Sequence, residues 1–324
     1  MRVCVLCSIN KGMVSPIVKS QFDSLKKVGI DVVLFGIKGR GFWGYLCSIR
    51  QIYHFLQANK VDVVHAHYSF CGIVASLSTG KPVVCSLMGS DVKQSGLWRF
   101  VISLFVKFRW KTTIVKSEEM KENMSGTGLF VIPNGVNLAL FKPMDKQQCR
   151  EKLAWDCKKK YVMFNAAPER FEKNFPIAQE AISLCDGLDV EMKVIINVKQ
   201  AEIPIYLNAS DILLLTSRWE GSPNIVKEAM ACNVPVIATE VGDVKWLFGN
   251  AKGCCLISQP FTSEKIANAI KAVVSQEVKS NARERIIELG IDSESIANKL
   301  KQIYECVLKG VDASLIKQKL LDNN

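Results

Sequence analysis

Short apolar runs alternate with segments of helical periodicity along the whole chain of 324 residues. The runs show no clean alternation of apolar and polar positions, which is typical of strands buried on both faces of a parallel sheet. We therefore predict strands over residues 3–7, 31–35, 61–66, 82–87, 112–115, 130–132, 161–165, 192–196, 212–216, 234–238 and 254–257.

Helical patterns separate these strands and close the chain. The first helix is predicted over 16–28, where Ser15 and Pro16 open it and Gly29 ends it. Three more are predicted to end the chain, over 263–275, 279–289 and 293–308. The pattern breaks after Pro133, where residues 134–147 are typical of a linker. The prediction is an α/β protein of two doubly wound domains, 1–145 and 146–310, with a tail over 311–324 and ligands at the carboxyl ends of the strands.

Charge is unevenly distributed between these halves. The chain carries a net charge of +11, yet residues 1–150 have 20 Lys and Arg against 8 Asp and Glu, a net of +12. Residues 151–324 have 22 against 23, a net of −1. This asymmetry indicates an anionic partner for the first half, which could be nucleic acid, a membrane surface or a phosphorylated substrate.

The lengths of the apolar runs and the N-terminal pattern predict a cytoplasmic protein. No apolar run approaches the ~18–20 residues of a spanning helix, and the N-terminus lacks the pattern of a signal peptide.

The twelve cysteines are scattered, and the single C-x-x-C pair, Cys4 and Cys7, lies in a predicted strand. Residues three apart on a strand point to opposite faces, so we expect reduced thiols and no metal there.

A glycine-rich stretch at residues 39–44, GRGFWG, matches the dinucleotide fingerprint, and Asp62 follows at about the usual interval. However, the stretch follows the second predicted strand, whereas the fingerprint belongs to the first strand–helix turn. Asp62 also begins a strand where the ribose-binding acid should end one. We therefore predict a glycine-rich loop in preference to the dinucleotide-binding turn of a dehydrogenase.

The most informative segment is 216–243, TSRWEGSPNIVKEAMACNVPVIATEVGD. A strand ends there, a loop carries Glu220, and a helix is predicted over 224–231, with Ser222 as its cap and Pro223 in its first turn. The backbone N–H groups and the helix dipole favour an anion. Together with Glu220 and Glu228, they suit a ligand that carries both phosphate and hydroxyls, such as a nucleotide-sugar.

This segment resembles the donor-binding signature of the retaining glycosyltransferases of family four, which have the GT-B fold. The resemblance continues in S-I-N-K-G-M-V-S-P at 8–16, D-V-V-H-A-H-Y-S at 62–69, S-L-M-G-S-D at 86–91 and V-I-P-N-G-V-N at 131–137. It implies two Rossmann-like domains that face each other across a cleft. The first would bind the acceptor and the second the nucleotide-sugar donor.

For the donor, the resemblance implies that Glu228 hydrogen-bonds the ribose and that Glu220 contacts the sugar. Arg170 and Lys173, in the loop NAAPERFEKNF, would meet the departing diphosphate, although the family usually has a Gly-Arg pair and a longer spacing. Further donor contacts are expected from Gly12 and from Gly221, Ser222, Pro223, Asn224 and Ile225. The resemblance also implies retention of configuration through an oxocarbenium-like transition state.

For the acceptor, the resemblance places an active-site histidine at His67, and Asp91 is a candidate acceptor-binding residue. Met88 stands where many members have histidine, so no role is transferred to that position. His65 is expected to be structural. We expect no cofactor and no metal, because Arg170, Lys173 and the helix dipole would replace a divalent cation.

The basic half contains the segment 96–111, GLWRFVISLFVKFRWK, whose aromatic and basic residues suit a helix lying on anionic lipid. A helix packed in the domain with its charges outward suits the same composition. The hypothesis is a peripheral inner-membrane enzyme that moves a hexose to a glycan or polyprenyl-diphosphate-linked glycan, in capsule, O-antigen (lipopolysaccharide) or exopolysaccharide synthesis.

Three other functions fit parts of the sequence. A nucleotide-sugar epimerase or a phosphorylase of the same fold is the closest alternative to a transferase. A non-catalytic sugar-binding protein would give no reason for Glu220 and Arg170 to occur together. A nucleic-acid-binding protein would fit the basic half, but the sequence has no helix-turn-helix, RNP or zinc signature, so we expect no nucleic-acid partner.

Overall fold

The computed structural model describes residues 1–10, 12–38, 41–89, 96–124, 126, 128–311 and 315–316. The chain forms two units of α/β structure. The first comprises Met1–Gly135 together with the described residues from Ser293 onward, and the second comprises Val136–Asp292.

The first unit is built on one sheet, in which seven strands lie within the described residues. They are β1 Arg2–Asn10, β2 Met13–Val14, β3 Asp31–Ile37, β4 Val63–His67, β5 Val83–Ser86, β6 Thr112–Val115 and β7 Leu129–Val131. The parallel order is β3-β1-β4-β5-β6-β7, and β2 pairs antiparallel with the end of β1. Leu6 of β1 lies opposite Phe35 of β3 and Ala66 of β4.

The second unit has a parallel sheet of five strands among the described residues. They are β8 Lys160–Phe164, β9 Val190–Val194, β10 Ile212–Leu215, β11 Val236–Thr239 and β12 Cys254–Ile257. The order is β12-β11-β10-β8-β9, so the chain reverses direction across the sheet between β9 and β10.

Helices cover these sheets in both units. They are α1 Pro16–Lys27, α2 Gly41–Cys47, α3 Ile49–Ala58, α4 Ser69–Ser78, α5 Gly96–Phe108, α6 Glu118–Glu122, α7 Lys146–Lys152, α8 Phe175–Ser183, α9 Ile203–Ala209, α10 Asn224–Ala231, α11 Val244–Phe248, α12 Ser263–Ser275, α13 Ala282–Glu288 and α14 Ser293–Leu308. A short 3₁₀ turn, Phe171–Lys173, precedes α8.

Each unit has its own apolar core. Leu6, Ile52, Val74 and Ile102 belong to the core of the first unit and are fully buried or nearly so. In the second, β10 is buried along its whole length and packs with β8, β11 and the inner faces of α8 and α12. Burial on both faces explains why the strands read as unbroken apolar runs.

The last helix, α14, belongs to the first unit. Its Tyr304 is fully buried, and the phenol oxygen lies 2.6 Å from Nδ1 of His65 in β4. The ammonium of Lys301 donates to the carbonyl of Val28, 3.1 Å away, at the end of α1. The chain therefore returns to its first sheet after completing the second unit, and the predicted domain 146–310 does not coincide with the second unit of the structure.

The segment expected to be a linker packs as part of the second unit. Arg283 of α13 donates to the carbonyls of Phe141 at 2.6 Å and Leu138 at 2.9 Å, and Phe141 is buried. The Val136 amide donates to the carbonyl of Ile291 at 3.0 Å. These contacts place the start of the second unit at Val136, ten residues before the predicted boundary. Of the predicted tail, Ile316 is described and is buried.

Most of the predicted elements are present, and several have the predicted bounds, among them β6, β12, α10, α12 and α14. The predicted glycine-rich loop is wrong where the structure describes it, because Gly41–Cys47 forms α2. No disulfide joins any of the twelve cysteines, all of which lie within the described residues, and Cys4 and Cys7 are both buried. Within the described ranges, no helix is both long enough and apolar enough to cross a membrane.

The contact between α14 and β4 can be tested with Tyr304→Phe. This change leaves a buried nitrogen of His65 without its partner, so we expect the free energy of unfolding to fall by about 1–3 kcal/mol. Urea denaturation followed by far-UV circular dichroism measures the loss. Tyr53→Phe, at an exposed position of α3, is the matched control. Equal stability of the two variants would contradict the structural role of the Tyr304 hydroxyl.

Candidate functional site

Four loops of the second unit meet at one edge of its sheet, because parallel strands end on the same side. These loops follow β8, β9, β10 and β11. A small hollow opens where the first and third of them meet. Its lining includes Asn165, Lys173, Ser217 and Ile225.

Lys173, which lines this hollow, forms an ion pair with Glu220. Lys173 Nζ lies 2.5 Å from Oε1 of Glu220, and both side chains are largely buried. The hydroxyl of Ser217 donates to the same carboxylate oxygen at 2.7 Å. The pair joins the loop after β8 to the loop after β10, so it places a cation and a carboxylate, both predicted from the sequence, side by side. Ser217 was not predicted, since a serine at the end of a strand carries no distinctive sequence signal.

The backbone around Lys173 is held by the end of β10. Asn174 has a left-handed conformation (φ 53°, ψ 46°), which asparagine tolerates better than most residues. The Thr216 hydroxyl donates to the carbonyl of Lys173 at 2.9 Å, and Arg218 donates to Oδ1 of Asn174 at 2.8 Å. Together these bonds fix the turn that directs Lys173 toward Glu220.

Arg170 is not brought to this pair. Its side chain is 56% exposed and bonds to Glu172 within the same turn, with Nε 2.7 Å from Oε1. The structure therefore brings Lys173, but not Arg170, into contact with Glu220.

The helix α10 begins at Asn224, directly after the loop that carries Glu220. Pro223 occupies the N-cap position and has no side chain that could cap the helix. The predicted capping by Ser222 is wrong, because the Ser222 hydroxyl instead accepts a hydrogen bond from Lys227 at 3.0 Å. The predicted stretch from Gly221 to Ile225 thus forms the loop and the first turn of a helix, where backbone N–H groups and the helix dipole favour an anion.

Glu228 lies on α10, one turn beyond its start. Its Oε1 accepts a hydrogen bond from Nε2 of Gln200, in the loop after β9, at 2.6 Å. Burial raises the pKa of Glu228 to about 7, against the opposing effects of Gln200 and of the Lys227 charge. In its ionised form this carboxylate can accept hydrogen bonds from ligand hydroxyls. Gln200 was not predicted, because the loop after β9 matches no motif.

In the first unit, His67 ends β4 and is buried. Neither of its ring nitrogens has a hydrogen-bond partner among the described residues. Burial, reinforced by the charge of Lys116, lowers the pKa of His67 to about 3, so the ring is neutral at physiological pH. Lys116 is itself buried just after β6 and donates a long bond, 3.4 Å, to the carbonyl of Ile132.

His65 is structural, as expected. Its two ring nitrogens are bonded to Tyr304 and to the hydroxyl of Ser86, at 2.6 and 2.8 Å. The rings of His65 and His67 lie 4.5 Å apart on one face of β4. No group of three or more His, Cys, Asp or Glu side chains suited to a metal ion occurs within the described part of the chain.

Two further predicted residues lie in the first unit. Gly12 has φ +79°, and a Cβ built on it would meet no heavy atom within 4 Å. The backbone conformation of the turn between β1 and β2 therefore favours glycine there, whatever ligand approaches it. Asp91, the predicted acceptor-binding residue, lies outside the described residues.

Two family models match the chain and together cover more than half of it. The model described as "Glycosyltransferase Family 4" matches residues 10–140, and the model described as "Glycosyl transferases group 1" matches residues 179–293.

Among curated relatives, the chain is 26% identical over 280 residues to TuaC of Bacillus subtilis (strain 168), named as a teichuronic acid biosynthesis glycosyltransferase. The match covers 76% of this chain and 71% of TuaC. It is 25% identical over 316 residues to an Escherichia coli enzyme, UDP-Gal:alpha-D-GlcNAc-diphosphoundecaprenol alpha-1,3-galactosyltransferase, with 79% and 78% of the two chains covered. Among solved structures, Anabaena Alr3699/HepE in complex with UDP and glucose has a TM-score of 0.73 at 17% identity, covering 93% and 99% of the chains.

The raised pKa of Glu228 predicts how stability depends on pH. Between pH 4.5, the ordinary pKa of glutamate, and about pH 7, the Glu228 carboxyl group is protonated in the folded chain and ionised in the unfolded chain. The free energy of unfolding therefore falls as the pH rises through this window. Glu228→Gln removes this dependence. We therefore expect the melting temperature of Glu228→Gln, relative to the unchanged protein, to be higher at pH 8 than at pH 5.

Glu191→Gln is the control of opposite sign. Hydrogen bonds and charge from Lys193 and Lys159 lower the pKa of Glu191, so its ionised form stabilises the fold above the ordinary pKa. Relative to the unchanged protein, Glu191→Gln should melt lower at pH 8 than at pH 4. A pH-independent difference for Glu228→Gln would contradict the raised pKa.

Proposed function

Because the chain belongs to glycosyltransferase family four and has the GT-B fold, we propose that it moves a hexose from a nucleotide-diphosphate sugar to a glycan or lipid-linked glycan, with retention of configuration. One observation carries this proposal. The Lys173–Glu220 pair lies in the loops beside the start of α10, and Glu228 lies on the same helix. A cation, a helix N-terminus and two carboxylates suit a ligand that combines phosphates with hydroxyls.

On the donor side, Glu228 accepts hydrogen bonds from the ribose hydroxyls and Glu220 accepts them from the hexose. Carboxylates suit this work because each oxygen can accept more than one hydrogen bond. The Anabaena protein that shares the fold is described in complex with UDP, and the E. coli relative is named for UDP-Gal. Both names support a uridine nucleotide as the first donor to test.

Lys173 and the first turn of α10 stabilise the negative charge that builds on the departing diphosphate. In comparable sites, removing one such preorganised donor slows reaction by about 10²–10³-fold. Arg170 contributes only if its guanidinium leaves Glu172 and turns toward the phosphates. With Lys173 and the N-terminus of α10 facing the diphosphate, we expect transfer to need neither a divalent metal nor another cofactor. The acceptor hydroxyl attacks the anomeric carbon of the hexose from the same face as the departing diphosphate. Its proton passes to the phosphate oxygen that leaves.

His67 acts in its neutral form. An imidazole with a pKa of about 3 carries no charge at physiological pH, so it cannot stabilise the transition state as a cation. One ring nitrogen can donate a hydrogen bond and the other can accept one. Neither nitrogen has a hydrogen-bond partner among the described residues. We assign it the orientation of a sugar or acceptor hydroxyl.

The first unit is proposed to bind the acceptor. It contains 22 Lys and Arg against 11 Asp and Glu, a net charge of +11, whereas the second unit has 20 of each. A diphosphate-linked glycan is anionic, so the basic unit would attract it. The E. coli relative is named for a diphosphoundecaprenol acceptor and TuaC for teichuronic acid biosynthesis. Surface-polysaccharide synthesis is therefore the proposed pathway, and capsule, O-antigen and exopolysaccharide remain the specific candidates.

The same unit offers a surface suited to the inner leaflet of a membrane. Helix α5 has two apolar faces. Ile102 and Val106 pack into the core, while the opposite face exposes Leu97, Phe100, Leu104 and Phe108 to between 41% and 77%. Three of the aromatics that suggested a membrane face, Trp98, Phe105 and Trp110, instead pack against the core. The exposed stripe lies among Arg99, Lys107, Arg109 and Lys111, which favours an anionic lipid surface on the cytoplasmic side.

The transferase is tested by product analysis with labelled UDP-, GDP-, ADP- and CMP-sugars and a polyprenyl-diphosphate-linked acceptor, with excess chelator present. We expect a glycosylated acceptor that keeps the donor's anomeric configuration. Lys173→Met should lower kcat by about 10²-fold or more, and Glu220→Gln should also lower it. Lys146→Met, which removes an exposed lysine of the same unit paired with Asp211, should not.

Three results would count against this proposal. An isomerised nucleotide-sugar would identify an epimerase, and sugar phosphate formed from a glycan and inorganic phosphate would identify a phosphorylase. Complete loss of transfer in chelator would contradict the metal-independent mechanism.

Membrane association is tested by vesicle flotation with phosphatidylglycerol or phosphatidylcholine. We expect binding to the anionic vesicles that weakens as salt is raised. The triple change Leu97→Ser, Phe100→Ser and Phe108→Ser should reduce it at least about tenfold, because each exposed apolar side chain adds on the order of 1 kcal/mol when buried. Ile287→Ser, at an exposed apolar position of the second unit, is the control. Absence of binding to both vesicles would refute this part of the proposal.

A further inference from the structure

A lysine is buried beneath the loop that carries Glu220. Lys227 lies on α10 and is 1% exposed, and its ammonium donates to the Ser222 hydroxyl at 3.0 Å. An ammonium this deeply buried is costly unless its surroundings supply compensating charge and hydrogen bonds. A methionine or leucine would fill the same space without that cost, so packing alone does not explain a lysine at this position.

Asp243 supplies the opposite charge. It is 7% exposed and precedes α11, in the turn after β11. Neither of its carboxylate oxygens has a partner at normal hydrogen-bond distance among the described residues, so its attraction to the Lys227 charge acts over a longer range. Burial raises the pKa of Asp243 to about 6 and lowers that of Lys227 to about 8, and each charge opposes the shift of the other.

The turn that carries Asp243 packs directly against the backbone of the same loop. Gly242 has φ +55°, and a Cβ built on it would lie 2.5 Å from the carbonyl oxygen of Gly221 and 2.9 Å from that of Glu220. Any side chain at residue 242 would displace the loop. The loop therefore packs against the turn after β11 and is bonded through Ser222 to Lys227. Ser217 and Lys173 hold the Glu220 carboxylate.

We propose that Lys227 and Asp243 are positioning residues, whose opposite buried charges next to the Glu220–Ser222 loop hold it in the shape that receives the donor diphosphate. The inference rests on the proposed donor site. Removing one charge leaves the other buried without compensation, and the loop or the first turn of α10 must then move to let water reach it. Removing both restores neutrality, so the double change should be less damaging than the two single changes predict.

The experiment measures the Kd of UDP by isothermal titration calorimetry, together with donor KM and kcat. The variants are Lys227→Met, Asp243→Asn and the double variant. Arg150→Met and Asp211→Asn are matched controls, since this pair is also buried in the second unit (7% and 14% exposed, 2.7 Å apart) but lies at the base of β8 and β10. Circular dichroism checks that each variant is folded. If Lys227→Met does not fold, Asp243→Asn, which keeps the size of the side chain, carries the test.

We expect each single change at Lys227 or Asp243 to raise the Kd of UDP and the donor KM at least tenfold. The double variant should be weakened by less than the product of the two single effects. The controls should lower the melting temperature and leave the Kd within twofold.

Unchanged UDP binding in Lys227→Met and Asp243→Asn would overturn the inference while leaving the donor site intact. Tighter binding of UDP by Asp243→Asn would also overturn the inference. It would mean that Asp243 acts on the phosphates only by long-range repulsion and does not position the loop. If the unchanged protein binds none of UDP, GDP, ADP and CMP, the donor site itself is refuted, and the inference falls with it.

Discussion

The carboxyl ends of parallel strands all lie at one edge of a sheet, and the chemistry of both units depends on this constraint. Strands buried on two faces leave few places for charged groups, which collect in the loops at that edge. Lys173 and Glu220 are 47 residues apart in the chain, yet their charged atoms lie 2.5 Å apart, because β8 and β10 are neighbours. Lys116 comes near the two histidines of β4 in the same way, since it follows β6 on the same sheet.

Several charged side chains of the second unit are partly or fully buried around the start of α10. Removing these charges from water costs free energy, and nearby opposite charges and hydrogen bonds offset part of that cost. Burial moves the pKa values of Asp243, Glu228 and Lys227 toward neutrality, to about 6, 7 and 8. The first unit contrasts with this, because its buried His67 is held neutral.

The distribution of net charge follows the two structural units more closely than the two halves of the sequence. The second unit is balanced and relies on a few directed groups, whereas the first carries the whole excess of +11. Much of that excess is exposed, and part of it flanks the outer apolar face of α5. A diffuse basic surface suits an extended anionic partner, while paired charges in a hollow suit a small ligand of defined shape.

Much of the secondary structure and part of the site could be predicted from the sequence, because periodicity and capping depend on residues only a few positions apart. The bounds of α10, α12 and α14 and the signature around Glu220 and Glu228 follow from such local patterns. Long-range packing decided the rest. It assigned α14 to the first unit through Tyr304, brought Lys173 to Glu220, and buried Asp243 behind the loop that carries Glu220. Each of these depends on which strands become neighbours, and no local pattern encodes that.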